Sequence, residues 1–193
     1  AHYPAEFIAA VVSNQGGYYS AFAYLSEGRR MGLTILPPDI NASNWVYTGS
    51  GTTVRVGLMQ IKGLQENLVK QLIAERKQHG SYRSLSDFLS RVKLDYAQAK
   101  LLIKAGCLDS IAGELTRPAL LWRVFVAQAT KPPSSIPIPT EYSAQKKLHH
   151  EITLFGFPIH CHPLDLFMEA LAGTSCIQAK DLDQYVGKEV TLI

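Results

Sequence analysis

Apolar positions along the chain change period several times, and each change marks an element. Phe7, Ile8, Val11 and Val12 make one helical stripe, and after Gly16-Gly17 the pattern resumes with Phe22, Leu25 and Arg29-Arg30 before Gly32. This predicts two helices over residues 4–31 joined by a glycine turn. Residues 33–36 then read as a short strand stopped by Pro37-Pro38. Residues 45–48 and 53–56 flank Gly49-Ser50-Gly51, a hairpin signal.

From Gly63 the period returns to the helical one. Leu64, Leu68 and Leu72 recur every four residues, Val69 and Ile73 widen the stripe, and His79-Gly80 closes it. Ser84 with Asp87 three residues on resembles a capping box ahead of Leu85, Phe88, Leu89 and Val92. Asp95 with Gln98 opens a third helix that buries Leu101, Leu102 and Ile103 and runs into Lys104-Ala105-Gly106, with residues 108–111 starting a fourth. A Lys-Gly turn thus occurs twice, at Lys62-Gly63 and near Lys104-Gly106, as a weak internal repeat. The end of the chain, from Lys188, has strand character.

Composition sets limits on this layout. At 193 residues, 47% hydrophobic and 18% charged, the chain is able to bury a core as one or two small domains. It has no apolar run of membrane-spanning length and no signal-peptide pattern at its start. Cys107, Cys161 and Cys176 are odd in number and irregularly spaced. They suit buried positions in a reducing, cytoplasmic compartment rather than a disulfide framework. The missing initiator Met and the apolar ending suggest a piece of a longer protein.

The net charge of +3 is small, but it is unevenly placed. Between Arg55 and Lys93 eight cations face three anions, so that segment carries +5 and the remainder −2. A solvated helical face with ion pairs would account for this, as would a polyanionic partner. A helix entered through a tight glycine turn leaves its first backbone N–H groups unpaired at the positive end of the helix dipole, where a phosphate oxygen is a natural acceptor. Such a contact ignores base sequence, and a neighbouring Lys62 adds charge through counterion release. The competing reading makes Gly63 and Gly106 ordinary turn or C-cap glycines. That reading is the stronger for Gly106, and phosphate contact is the stronger for Gly63.

Several runs, in order and at matching spacing, resemble landmarks of the bacterial C-family DNA polymerases, the DNA polymerase III alpha subunits and their error-prone paralogues. They are Ala1-His2-Tyr3-Pro4-Ala5-Glu6-Phe7, Arg30-Met31-Gly32 with Pro37-Pro38-Asp39-Ile40-Asn41-Ala42-Ser43, and Arg55-Val56-Gly57-Leu58-Met59-Gln60-Ile61-Lys62-Gly63. Ser84-Leu85-Ser86-Asp87-Phe88 and Leu102-Ile103-Lys104-Ala105-Gly106-Cys107-Leu108-Asp109 resemble that family's two helix-hairpin-helix units. Gly156-Phe157 through His162-Pro163-Leu164 resembles the step before its OB-fold.

The resemblance implies a mainly α fold: a tandem helix-hairpin-helix module with a small β hairpin and a truncated first strand of an OB-fold. Residues 1–56 would end the polymerase fingers and 57–130 form the DNA-binding module. Residues 131–140 would be a Pro-rich linker, 141–186 a helical connector and 187–193 the start of the OB-fold. The parent enzyme would be a nucleotidyltransferase whose palm aspartates hold magnesium; those segments are not represented here, so no cofactor is expected in this chain and no polymerisation by it alone. The expected partners are primer-template duplex DNA and other polymerase domains. Lys62, Gly63, Leu64 and Gln65 would make the first phosphate contact and Lys104, Ala105 and Gly106 a possible second, with Arg55, Lys70, Arg76 and Lys77 around them.

Two departures stand out. Gln65 replaces the second glycine usual in the first hairpin. Lys131-Pro132-Pro133-Ser134-Ser135-Ile136-Pro137-Ile138-Pro139 stands where processive members carry a clamp-binding peptide, which makes a sliding-clamp partner doubtful and points towards an error-prone paralogue. Three rival readings remain. One is a protein-docking module within the polymerase assembly. Another is a single-strand binder stacking bases on Tyr82. The last is a metal site drawn from His149, His150, His160, Cys161, His162 and Cys176, whose spacing does not suit zinc.

Overall fold

Pro4 sits in the first turn of α1 (Pro4–Asn14), where its missing N–H costs nothing, and Ala5, Ile8, Ala9 and Val12 are buried on one face. Ser20 caps α2 (Ala21–Arg30) by accepting from the Ala23 N–H. The computed structural model describes residues 2–15, 17–129, 139–161, 163–171, 176–177 and 179–192.

A three-stranded sheet follows in the order β1 (Thr34–Leu36), β3 (Thr53–Arg55), β2 (Thr48–Ser50). β1 and β3 are parallel, β2 and β3 antiparallel with Ser50 opposite Thr53. The hairpin loop is therefore Gly51-Thr52, and Gly49, expected in the turn, lies within β2. The reason is tertiary: the Ala5 carbonyl of α1 lies against Gly49, in the space a Cβ would need.

The helical module has the expected order. After a 3₁₀ turn (Leu58–Gln60) come α3 (Glu66–His79), α4 (Leu85–Arg91) and α5 (Tyr96–Lys104). Ser84 accepts from the Asp87 N–H and Asp95 from the Gln98 N–H, as the capping patterns predict. Residues 108–111, expected to start a fourth helix, instead form a second 3₁₀ turn (Asp109–Ile111), and the next helix, α6 (Arg117–Gln128), begins only after the Thr116 cap. α7 (Ala144–Phe155) begins at Ser143 and ends on Gly156.

One core unites these elements. Ile8, Leu25, Val54, Val56, Leu58, Ile61, Leu68, Leu102 and Phe155 belong to a single buried cluster, so the stretch before residue 57 and the helical module share an interior. Residues 1–160 form one compact unit. The second, residues 161–193, contains a 3₁₀ turn (Pro163–Phe167), α8 (Met168–Leu171), a 3₁₀ turn (Ala179–Tyr185), and β4 (Cys176–Ile177) paired in parallel with β5 (Thr191–Leu192). The Pro-rich stretch and the clamp-peptide position lie outside the described residues, apart from residues 139–140. Among the described residues no helix is long and apolar enough to cross a membrane.

Candidate nucleic-acid interface

The Lys62-Gly63 turn is held by segments far from it in sequence. Gln60 donates through Nε2 to the Phe155 carbonyl (2.6 Å), and the Lys62 N–H donates to the Leu154 carbonyl (3.0 Å). The last carbonyls of α7, which have no partner within the helix, are thereby satisfied. Gly63 turns the chain with φ of 84°, a left-handed conformation that glycine adopts without strain. Gln98 on α5 spans the turn, donating through Nε2 to the Gly63 carbonyl (3.1 Å) and accepting through Oε1 from the Gln65 N–H (3.0 Å).

The four residues predicted for the first contact therefore have different fates. Lys62 keeps an exposed side chain, with its ammonium near Gly156 at the end of α7. Leu64 is 8% exposed, and its N–H bonds to the Ile61 carbonyl. The Gln65 N–H is taken by Gln98. What remains is the start of α3: Gln65 provides no side-chain cap, and the N–H groups of Gly63, Glu66, Asn67 and Leu68 meet no acceptor among the described residues. α2, α4, α5, α6 and α7 all have a Ser, Thr or Asp cap. At α3, Glu66 and Asn67 are exposed, and Lys70 pairs with Glu66 at 2.7 Å.

The second predicted contact is closed from inside. The Ala105 N–H bonds to the Leu101 carbonyl, Gly106 to Ile103 and Cys107 to Leu102, a Schellman-type end to α5 with Gly106 at φ of 80°. Arg117 presses its guanidinium where a Gly106 side chain would be, donates to Asp109 Oδ2 at 2.6 Å, and is 5% exposed. Ala105 and Gly106 thus have no amide to offer, while Lys104 remains partly exposed with its ammonium unpaired by any carboxylate among the described residues. The C-cap reading of Gly106 is the one the geometry shows.

The expected electrostatic surround also divides. Arg55 donates to the Pro37 carbonyl (2.9 Å). Arg76 ties α3 to the loop between β1 and β2 through the Ile40 carbonyl (2.6 Å) and Asn44 Oδ1 (3.0 Å). Arg91 bonds Glu75 and Asp87 and lies 4.5 Å over the Tyr82 ring. These arginines hold the fold, whereas Lys62, Lys77, Arg83 and Lys93 are exposed. Tyr82 is 2% exposed and donates its hydroxyl to the Leu72 carbonyl, so it is a core residue rather than a stacking platform.

Of the histidines, His160 is paired with Glu151, which also accepts from the Ile159 N–H at 2.6 Å, and His150 is buried with Nδ1 unpartnered. Burial, with nearby Lys104 and Lys146, pushes His150 down to about 4. Among the described residues no group of three or more His, Cys, Asp or Glu side chains is placed to hold a metal ion. The side chains of His162 and Cys176 lie outside what is described.

A protein family described as the helix-hairpin-helix motif matches residues 32–119, from β1 to the first turn of α6. The DNA polymerase III subunit alpha of Treponema pallidum is 31% identical over 198 residues, covering 89% of this chain and 17% of that protein. The chain matches one segment of the bacterial DNA polymerase III alpha-subunit family. The error-prone DNA polymerase of Mycolicibacterium paratuberculosis is 34% identical over 70% of this chain and 12% of its own length. The alpha subunit of Deinococcus radiodurans is 38% identical over 57% of this chain and 8% of its own. The chain spans about a sixth or less of these polymerase relatives.

Against this family background, Gln98 and Asn67 are the residues at the turn that sequence reasoning did not assign to the candidate site. Gln98 was visible only as a cap partner of Asp95. Its bridging role depends on a contact 33 residues away.

Proposed function

We propose that this chain holds duplex DNA by its sugar-phosphate backbone, without sequence choice, within a polymerase of the alpha-subunit or error-prone kind. The observation that carries the reading is the open start of α3. Four N–H groups without acceptors among the described residues sit beside exposed Lys62, at the positive end of a 14-residue helix. A phosphate oxygen satisfies donors that the fold leaves unpaired, and Lys62 contributes a counterion-releasing charge. Because such contacts reach only the backbone, the same grip serves any sequence as a primer-template moves past it.

Nucleotidyl transfer and the magnesium it needs belong, on this proposal, to segments of the parent enzyme other than these 193 residues; the chain's own task is positioning. The remaining polymerase domains are its protein partners.

The test is fluorescence anisotropy of a labelled random-sequence duplex across a salt series, with the Lys62→Glu, Gly63→Val double variant alongside. Steeply salt-dependent, sequence-independent affinity that collapses in a folded variant supports the grip. Absence of binding at low salt overturns it and favours a protein-docking role for the module.

A further inference from the structure

α5 and α7 pack against one another, and the contacts at their ends give their sense. The Lys62-Gly63 turn meets Gln98 in the first turn of α5 and Leu154 in the last turn of α7. At the other end, Lys104 closes α5 within electrostatic reach of Lys146 in the first turn of α7. The helices are therefore antiparallel, and their shared face leads away from the turn. Lys100 and Lys104 lie one helical turn apart on α5, and Lys146 adds a third ammonium from α7.

No ion pair neutralises these three lysines among the described residues. The nearby carboxylates are engaged elsewhere: Asp109 with Arg117 at 2.6 Å, and Glu141 with Lys147 at 3.7 Å and the Arg117 N–H at 3.2 Å. Lys100 and Lys146 are exposed and Lys104 half-buried. Burial and the two neighbouring ammonium groups hold Lys104 below the usual lysine range, so the cluster is repulsive until an anion joins it. His150, neutral in its buried position, adds no charge at neutral pH.

We infer that Lys100, Lys104 and Lys146 form a second phosphate-binding strip, which extends the grip on duplex DNA from the Lys62-Gly63 turn along α5 and α7. This rests on the proposed function. Eight residues of α7 separate Leu154, at the turn, from Lys146, or about 12 Å at 1.5 Å per residue. A duplex carries a backbone charge for every 1.7 Å or so of its axis, and its minor groove is about 6 Å wide. Duplex DNA seated on the start of α3 therefore has phosphates available over the length of the strip. The strip works by charge alone, because the turn at its far end has its amides closed by the Schellman bonds and Arg117. The two halves of the tandem module thus hold the backbone by different means, one through amides together with Lys62 and the other through ammonium groups alone.

The experiment measures duplex affinity of the 193-residue chain against salt concentration for four proteins. They are the wild type, a Lys100→Gln, Lys104→Gln, Lys146→Gln triple variant, the corresponding Lys→Arg triple variant, and the Lys62→Glu, Gly63→Val variant, with circular dichroism confirming each fold. The glutamine variant is expected to lower the slope of log K against log salt by about 2 to 3, from roughly 0.9 per phosphate contact, and the arginine variant to restore it. An unchanged slope in the glutamine variant, with binding lost in the turn variant, overturns the strip and leaves the turn reading intact. A reduced slope with the turn variant unaffected supports the strip and removes the turn. Absence of salt-dependent duplex binding by the wild type overturns both.

Discussion

Replacing Glu66 by proline removes one donor from the open start of α3 and leaves the backbone path intact. Glu66 is the first residue of α3, where proline's fixed φ and missing N–H are tolerated, and Gln65 before it is already extended at φ −78° and ψ 127°. The substitution also removes a carboxylate paired with Lys70, so the matched control is Glu66→Ala, which loses the same charge and keeps the N–H. A hydrogen bond to a charged group is worth about 1.5–3 kcal/mol. The proline variant should therefore bind duplex DNA about 10- to 100-fold more weakly than the alanine variant, measured by anisotropy at one salt concentration. Its thermal midpoint should lie at or above that of the alanine variant, since proline at a compatible site restricts the unfolded chain. Equal affinities in two folded variants would refute the claim that the α3 amides contact phosphate.

Three further outcomes follow from particular contacts. Gly106→Ala places a methyl group against the Arg117 guanidinium at a positive φ, and should lower stability by about 1–3 kcal/mol in urea melts by straining the turn and displacing Arg117 from half-exposed Asp109. Arg76→Gln removes the bonds to Ile40 and Asn44 and should lower the thermal midpoint, at a cost of about 1.5–3 kcal/mol, while leaving the salt slope of DNA binding unchanged. His150 titrates near 4 when folded and near 6.5 when unfolded, so the unfolded state takes up its proton first on acidification. Stability should be complete above pH 6.5 and fall towards pH 4, by up to about 3 kcal/mol; in His150→Leu this part of the acid slope should vanish from pH-dependent urea unfolding.

Several helices were legible where an apolar stripe coincided with a local stop or cap. Ser84 with Asp87 and Asp95 with Gln98 mark the starts of α4 and α5 within the residues that form them. The hairpin was displaced because Gly49 reads locally as a turn residue, while its real constraint is the backbone of α1 against it. The candidate interface was legible only in part for the same reason. Lys62 and Gly63 stand out as a basic glycine turn, but which amides remain free is decided by Gln98 and Leu154, both distant in sequence. Charge counting likewise treated Arg76 and Arg91 as surface cations, and only their carbonyl, carboxylate and aromatic partners reveal them as parts of the framework.

The side-chain amide of Gln98 meets the turn as another stretch of main chain would, one donor and one acceptor against a carbonyl and an N–H. It is a splint, and it fixes the distance between two helices that no short loop connects. A binding surface set in advance loses little conformational entropy when DNA arrives, so more of each phosphate contact is expressed as affinity. On the proposed grip, in which the module would release and regrip the backbone at every nucleotide step, this stiffness would keep the pose of the duplex the same from one cycle to the next.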